Sequence, residues 1–290
     1  MILSEQLFLE NQPLEINIDK IGTSTGVRRT EGDEEFSEVE NKRINDSLEQ
    51  SSYKLKLAFY VYFYGSDNHE YFFIPEVPFI NYNCYYITNN INLFEKLKNT
   101  RWIGVFDDII TIEDIIESNL AGKKVKSVPE SFFELSKYDY LCYLDTKYLN
   151  KNSSNDEIRQ QNENIIKNYI NEFFIKQNYA LVLPLHPFIK SKNVWSEFNE
   201  SMCHYRYRIE RNNYINYINQ QINSGLKEET EYHYTTCFLL RNMKHNKIHE
   251  INNTWYEHIM LCGIQCQIAF FFSKQKYNEY IYHILQYPHI

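Results

Sequence analysis

From about Tyr53 onward, short apolar runs alternate with amphipathic segments. KLKLAFYVYFYG, beginning at Lys54, is rich in β-formers and ends at Gly65. NCYYITNN, from Asn83, is a shorter run that passes into polar turn residues. INLFEKLKNT follows, with Leu93, Phe94 and Leu97 on one helical face. TRWIGVFDD ends in two carboxylates, and IEDIIESNLAGKKVKSVP reads as a helix into a basic turn closed by Pro129. FFELSKYDYLCYLDTKY gives a short helix and a run from Tyr140 to Leu144 that stops at Asp145. The pattern predicts strands near Leu57–Tyr64, Cys84–Ile87, Trp102–Phe106 and Leu141–Leu144, with helices between most of them. Such alternation implies a mostly parallel sheet of βαβ type. Ligands on such sheets bind beyond the carboxyl ends of the strands, where Gly65, Asn89, Asp107 and Asp145 fall.

The second half has a helical period. DEIRQQNENIIKNYINEFFIKQN carries Ile165, Ile166, Tyr169, Ile170 and Phe173 on one stripe. YALVLPLHPF is a strand stopped by Pro187. The run from Val194 to Gly225 predicts one long helix, with Gly225 as its C-terminal cap. HYTTCFLLRNM is a strand, and TWYEHIMLCGIQCQIAFFFSKQKYNEYI predicts a last long helix that tolerates Gly263. The expected class is therefore α/β, with a helix-rich C-terminal half. Residues 1–52 form a separate polar N-terminal arm, acidic at EGDEEFSEVE, and residues 53–290 form one domain.

Charge narrows the function. With 30 basic and 38 acidic residues the net charge is −8, which argues against a nucleic-acid partner. No apolar run reaches the roughly 18 residues of a membrane span. MILSEQLFLENQPLEINIDK lacks the basic start and apolar stretch of a secretory signal, so a cytoplasmic protein is expected. The six cysteines form no CxxC pair, and several sit in apolar runs, as buried free thiols do. The 25 tyrosines suit the lining of a polar cleft as well as a core edge.

YDYLCYLDTKY, LPLHPF, a tyrosine-rich helical stretch, CFLLRNMKH, TWYEHI and CGIQCQIAFF occur in that order. The ordered set resembles a glycosyltransferase-like family with plant cell-wall and mucilage members and members from large DNA viruses. The resemblance covers roughly Leu57 to Phe272. It implies a GT-A-type, Rossmann-like fold, with a nucleotide-sugar site on the front sheet and an acceptor site behind it. The implied activity is transfer of a sugar from a nucleotide sugar to a hydroxyl of a carbohydrate or protein. For a viral member the compartment would be the host cytoplasm.

Enzymes of that fold commonly hold Mn²⁺ or Mg²⁺ through two carboxylates spaced as DxD. In LDTK the third position is Lys147, so the motif is incomplete. The resemblance makes Asp145 the contact to donor sugar or ribose, and Lys147 can offset phosphate charge. Lys123, Lys124 and Lys126 cluster just before that strand. The resemblance turns Lys123 and Lys124 towards the diphosphate; a solvated helix end explains them equally well. His186 in LHPF suits a substrate hydroxyl or phosphate, or a satisfied structural histidine. Arg241, followed by Asn242, suits anion recognition at a strand exit, or a surface ion pair.

Trp255, Ile259, Cys262 and Cys266 are spaced to share one helical face, either core or site, with Trp255 as a sugar platform. Family members carry an acid directly before the glutamine that here is Gln267. Cys266 stands in that place, flanked by Gln265, and the three would line the reacting centre. A thiol of ordinary pKa about 8.5 is mostly protonated where a carboxylate would be ionised. A protein that binds nucleotide sugar or carbohydrate without turnover is therefore the alternative. A third reading is a zinc-stabilised interaction domain built on His258, Cys262 and Cys266, with His245 and His249 nearby; the lack of CxxC knuckles weighs against it.

Overall fold

The computed structural model describes residues 55–69, 72–110, 113–149, 155–189 and 191–285. The arm expected over residues 1–52 lies outside the described residues. The strands are β1 Leu57–Phe63, β2 Asn83–Thr88, β3 Ile103–Phe106, β4 Tyr140–Leu144, β5 Leu181–Pro184, β6 Phe238–Asn242 and β7 Ile281–Ile284. The helices are α1 Ile91–Leu97, α2 Ile115–Ser127, α3 Phe133–Ser136, α4 Asp156–Tyr169, α5 Val194–Ser201, α6 Tyr205–Arg208, α7 Arg211–Asn223, α8 Ile248–Cys262 and α9 Cys266–Ser273.

The strands form one sheet in the order β3-β2-β1-β4-β6-β5-β7. All neighbours are parallel except at β6, which runs against both β4 and β5. The fold is α/β, a mostly parallel sheet flanked by helices. The four strands expected in the front half stand where the apolar runs placed them, within a residue or two.

Side-chain alternation along each strand sends residues to two cores. Leu57, Phe59 and Val61 face Trp102, Leu93, Leu97 and Ile166. Ala58 and Tyr60 face the other core, with Val125, Trp255, Ile259 and Phe270. Two long helices expected from sequence are broken. The run from Val194 becomes α5, α6 and α7, because His204 is extended between the first two. Gly225 does close α7, at φ 98°. The last helix stops at Gly263, whose φ of 107° and ψ of −165° leave the helical region. α8 and α9 are therefore separate, and Cys266 starts a new helix instead of extending the face of Trp255, Ile259 and Cys262. Among the described residues no helix is long and apolar enough to cross a membrane.

Candidate functional site

The site grows from α2 and the end of β4. Asp114 caps α2, its carboxylate accepting from the amides of Ile116 at 2.8 Å and Glu117 at 2.9 Å. Near its C-terminus α2 lies directly on β1. A Cβ on Gly122 would sit 2.5 Å from the Tyr62 ring, so only glycine permits the approach. Lys123 and Lys126, one and four residues beyond Gly122, are buried, while Lys124 faces solvent. The expectation that Lys123 and Lys124 act together is corrected on helical geometry: residues three apart share a face and adjacent ones do not.

The Lys126 ammonium lies 3.1 Å from Asp145 Oδ1 just beyond β4. Tyr143 donates its hydroxyl to the same oxygen, and its ring lies 5.0 Å from the ammonium. Burial acts to raise the Asp145 pKa, but Lys126, Lys147, Lys123 and the Tyr143 hydroxyl overcome it and hold the carboxyl at about 2. Lys147 itself is exposed.

Cys266, at the start of α9, lies within electrostatic reach of Lys123, Lys126 and Asp145. Its Sγ is 3.5 Å from Thr236 Oγ1, in the segment leading into β6. Burial pushes the thiol up; Lys123, Lys126 and the Thr236 hydroxyl more than offset this, and the thiol lies below its ordinary value despite Asp145. Lys123 is the complement. Burial disfavours its charge, yet Cys266, Tyr62, Tyr207 and Asp145 carry its pKa above the ordinary lysine value.

The place of Cys266 is fixed through its neighbours. Trp255 Nε1 donates to the Cys266 carbonyl at 3.0 Å, and its ring packs on Phe270 at 5.1 Å. Trp255 is buried, so the sugar platform expected of it has no open face. Glu210 accepts from the Ile264 amide at 2.9 Å and from the Tyr214 hydroxyl at 2.6 Å, which anchors the turn between α8 and α9.

Glu197 on α5, absent from the sequence-based candidates, is the hub of the adjoining network. Its Oε1 accepts from Gln265 Nε2 at 2.9 Å and from Gln267 Nε2 at 2.8 Å. Its Oε2 lies 3.0 Å from His233 Nε2 and 3.8 Å from His186 Nε2. His186 Nδ1 accepts from the Ile189 amide at 2.9 Å, so its one lone pair is used and Nε2 carries the proton. His186 thus belongs to the network; burial holds its pKa down, with Glu197 opposing and His233 assisting. Gln267 also accepts from Thr235 Oγ1 at 3.0 Å, which connects Glu197 to the Thr235–Thr236 segment beside Cys266. His233 Nδ1 is buried without a hydrogen-bond partner. It borders a tight crevice lined also by Tyr234, Gln267, Phe270, Phe271 and Lys274.

Arg241 is not brought to this site. It sits in mid-sheet register opposite Leu141 and is fully buried. It donates to Asn252 at 3.0 Å, to the Tyr60 hydroxyl at 2.8 Å and to the Lys126 carbonyl at 2.6 Å. The strand exit expected for it lies elsewhere, because β6 is reversed. Its contribution is indirect: it fastens the end of the helix that carries Lys123 and Lys126.

The residues do not suit a divalent cation. Asp145 offers the one carboxylate of the lysine cluster, and Lys126 already holds it, with Lys123 and Lys147 near. No group of three His, Cys, Asp or Glu able to hold a metal occurs among the described residues. The helical face proposed for zinc is also interrupted, since His258 and Cys262 lie on α8 and Cys266 on α9. The His258 ring is instead 2.5 Å from the Tyr217 hydroxyl.

No protein-family model matches the chain. No curated protein matches it in sequence. Among solved structures, the chain is similar to the apo crystal structure of mouse xyloside xylosyltransferase 1, at 10% identity and a TM-score of 0.36, over 79% of this chain and 84% of that one.

Proposed function

We propose that the protein binds a nucleotide sugar at the carboxyl ends of β1 and β4 and transfers the sugar to a hydroxyl of a carbohydrate or protein. The observation that carries this reading is the convergence of Lys123, Lys126, Asp145 and Cys266 at the end of a buried parallel strand. Cationic groups there meet the diphosphate of a donor, and an ionised carboxylate is available to hydroxyls of sugar or ribose. In the transfer, the acceptor oxygen bonds to the anomeric carbon and its proton passes to a base. The bond from that carbon to the diphosphate oxygen breaks, and the diphosphate leaves with the electron pair. Gln265 and Gln267, held by Glu197, border the reacting centre in this reading.

Calorimetric titration with UDP- and GDP-sugars tests the reading. The wild type binds one of them, and Asp145→Asn weakens that binding at least tenfold while melting as a folded protein. Unchanged affinity in the variant removes Asp145 from the site. A second reading, a binder without turnover, is favoured by Cys266, a thiol where the resembling family carries an acid. Binding of a nucleotide sugar with neither transfer nor hydrolysis would establish that second reading.

A further inference from the structure

β3 is an outer strand of the sheet, with β2 on one side and, among the described residues, no strand on the other. The Asp107 amide donates to the Thr88 carbonyl at 2.9 Å, and Ile103 and Val105 lie opposite Tyr85 and Ile87. By strand alternation the amides and carbonyls of Ile103 and Val105 face β2, so those of Gly104 and Phe106 point outward. Proteins usually blunt such an edge with charge, proline or a covering element. The residues IGVF of β3 carry neither charge nor proline, and Ile103, Phe106, Ile109 and Ile110 are exposed. The two ends of the run are oppositely charged: Arg101 precedes it, and Asp107 and Asp108 follow it.

We infer that this edge joins two copies of the chain, their β3 strands antiparallel about a two-fold axis at Gly104. Charge selects both the partner and the direction. A second copy laid antiparallel brings each Arg101 beside the other's carboxylates, and the symmetry makes that match twice. A parallel copy would set like charge beside like. Residues paired across a sheet share a face, so the axis must pass through one residue of the strand. At Gly104 it sets Arg101 opposite Asp107, Ile103 opposite Val105 and Trp102 opposite Phe106. At Val105 it would set Ile103 opposite Asp107 and Arg101 opposite Ile109. The Gly104 register pairs apolar with apolar and cation with anion, and it uses the outward groups of Gly104 and Phe106. Arg101 already meets Asp156 at 3.1 Å in an exposed pair, and the five donors of its guanidinium can serve both carboxylates.

The test is sedimentation equilibrium on the full chain from about 1 to about 100 µM, the range open to a small interface. The wild type is expected to pass from monomer to dimer within it. Ile103→Lys, at an exposed position, should weaken association about tenfold or more. Asp107 also accepts from the Tyr64 hydroxyl, so the charge exchange is made at its exposed neighbour Asp108, within reach of the same guanidinium. Arg101→Glu alone and Asp108→Arg alone each set like charges together and should stay monomeric. Mixed in equal amounts, they restore both opposite-charge contacts and should form a heterodimer, which non-specific association would not do. Residue-resolved amide exchange on the wild type reads the same contact without any substitution. The Gly104 and Phe106 amides should become protected as concentration rises, while those of Ile103 and Val105 are protected throughout. A wild type monomeric over the whole range overturns the inference. So does a dimer indifferent to Ile103→Lys, a mixture no more associated than its separate components, or exchange at Gly104 and Phe106 that does not change with concentration.

Discussion

Replacing Gly263 with alanine strikes the hinge that delivers Cys266. The residue occupies φ 107° and ψ −165°, a region that is essentially glycine's own. Holding a side-chain-bearing residue there costs about 1–3 kcal/mol. The new Cβ would also lie 2.6 Å from Glu210 Oε1 and 2.7 Å from Oε2, well inside ordinary contact. Glu210 must swing away, giving up its bonds to the Ile264 amide and the Tyr214 hydroxyl. A hydrogen bond to a charged group contributes about 1.5–3 kcal/mol, so strain and lost anchor together come to about 3–5 kcal/mol. At roughly 2–4 °C per kcal/mol for a domain of this size, Tm falls by about 10 °C. Scanning calorimetry measures the loss. Adding Glu210→Ala to Gly263→Ala removes the overlap but not the backbone strain, so the double variant should lose less than the sum of the two singles. A Gly263→Ala protein melting within 2 °C of wild type would refute the reasoning, and additive losses would refute the Glu210 half of it.

Other outcomes follow from the same geometry. Cys266→Asp should fold, because Lys123 and Lys126 face the new carboxylate, and should raise or create sugar transfer by up to about 10²–10⁴-fold; an unfolded or inactive variant counts against a reacting-centre role. Glu197→Leu leaves Gln265, Gln267 and His233 without their buried acceptor and should cost about 3–5 kcal/mol in urea denaturation; a loss under about 1 kcal/mol would show the hub to be dispensable. Burial holds the Lys274 ammonium at about 7, against about 10.4 in an unfolded chain. Between those values the unfolded chain holds the extra proton, so this group's contribution to stability rises with pH. The Tm of wild type relative to Lys274→Met should therefore rise from pH 6 to pH 9, and a flat difference would refute the assignment.

The front sheet was legible because each apolar run had the length of a strand and ended in glycine, asparagine or aspartate. Asp145 stands at one such end, just beyond β4. The broken helices were not legible: Gly263 inside an apolar period reads as a tolerated residue until its backbone and Glu210 are seen together. Helical periodicity therefore put Cys266 on the face of Trp255, although both do enter one core. Lys126 was visible as part of a basic cluster, but choosing it over Lys124 required knowing which side of α2 meets Tyr62. Arg241 and Glu197 were misjudged or missed because a charged residue in an apolar context gives no sign of its partners, which come from Tyr60, Asn252, Gln265 and His233 far along the chain.

The reversal of β6 also bears on how the protein reaches its native state. Running against β4, that strand brings Thr236 and Cys237 to the edge where β4 ends, and the Asp145 amide donates to the Cys237 carbonyl at 2.8 Å. Tyr60 and Arg241, joined across the same sheet, are 181 positions apart. Closing loops of that length costs entropy before any contact repays it, and such pairings form slowly. α2 and the β1–β2 pair can assemble from neighbouring sequence, whereas the thiol side of the cluster waits for β6 to insert. Recovery of anion binding during refolding should then trail recovery of helical signal, with a substantial interval in which the chain is largely structured and its lysines have nothing to hold.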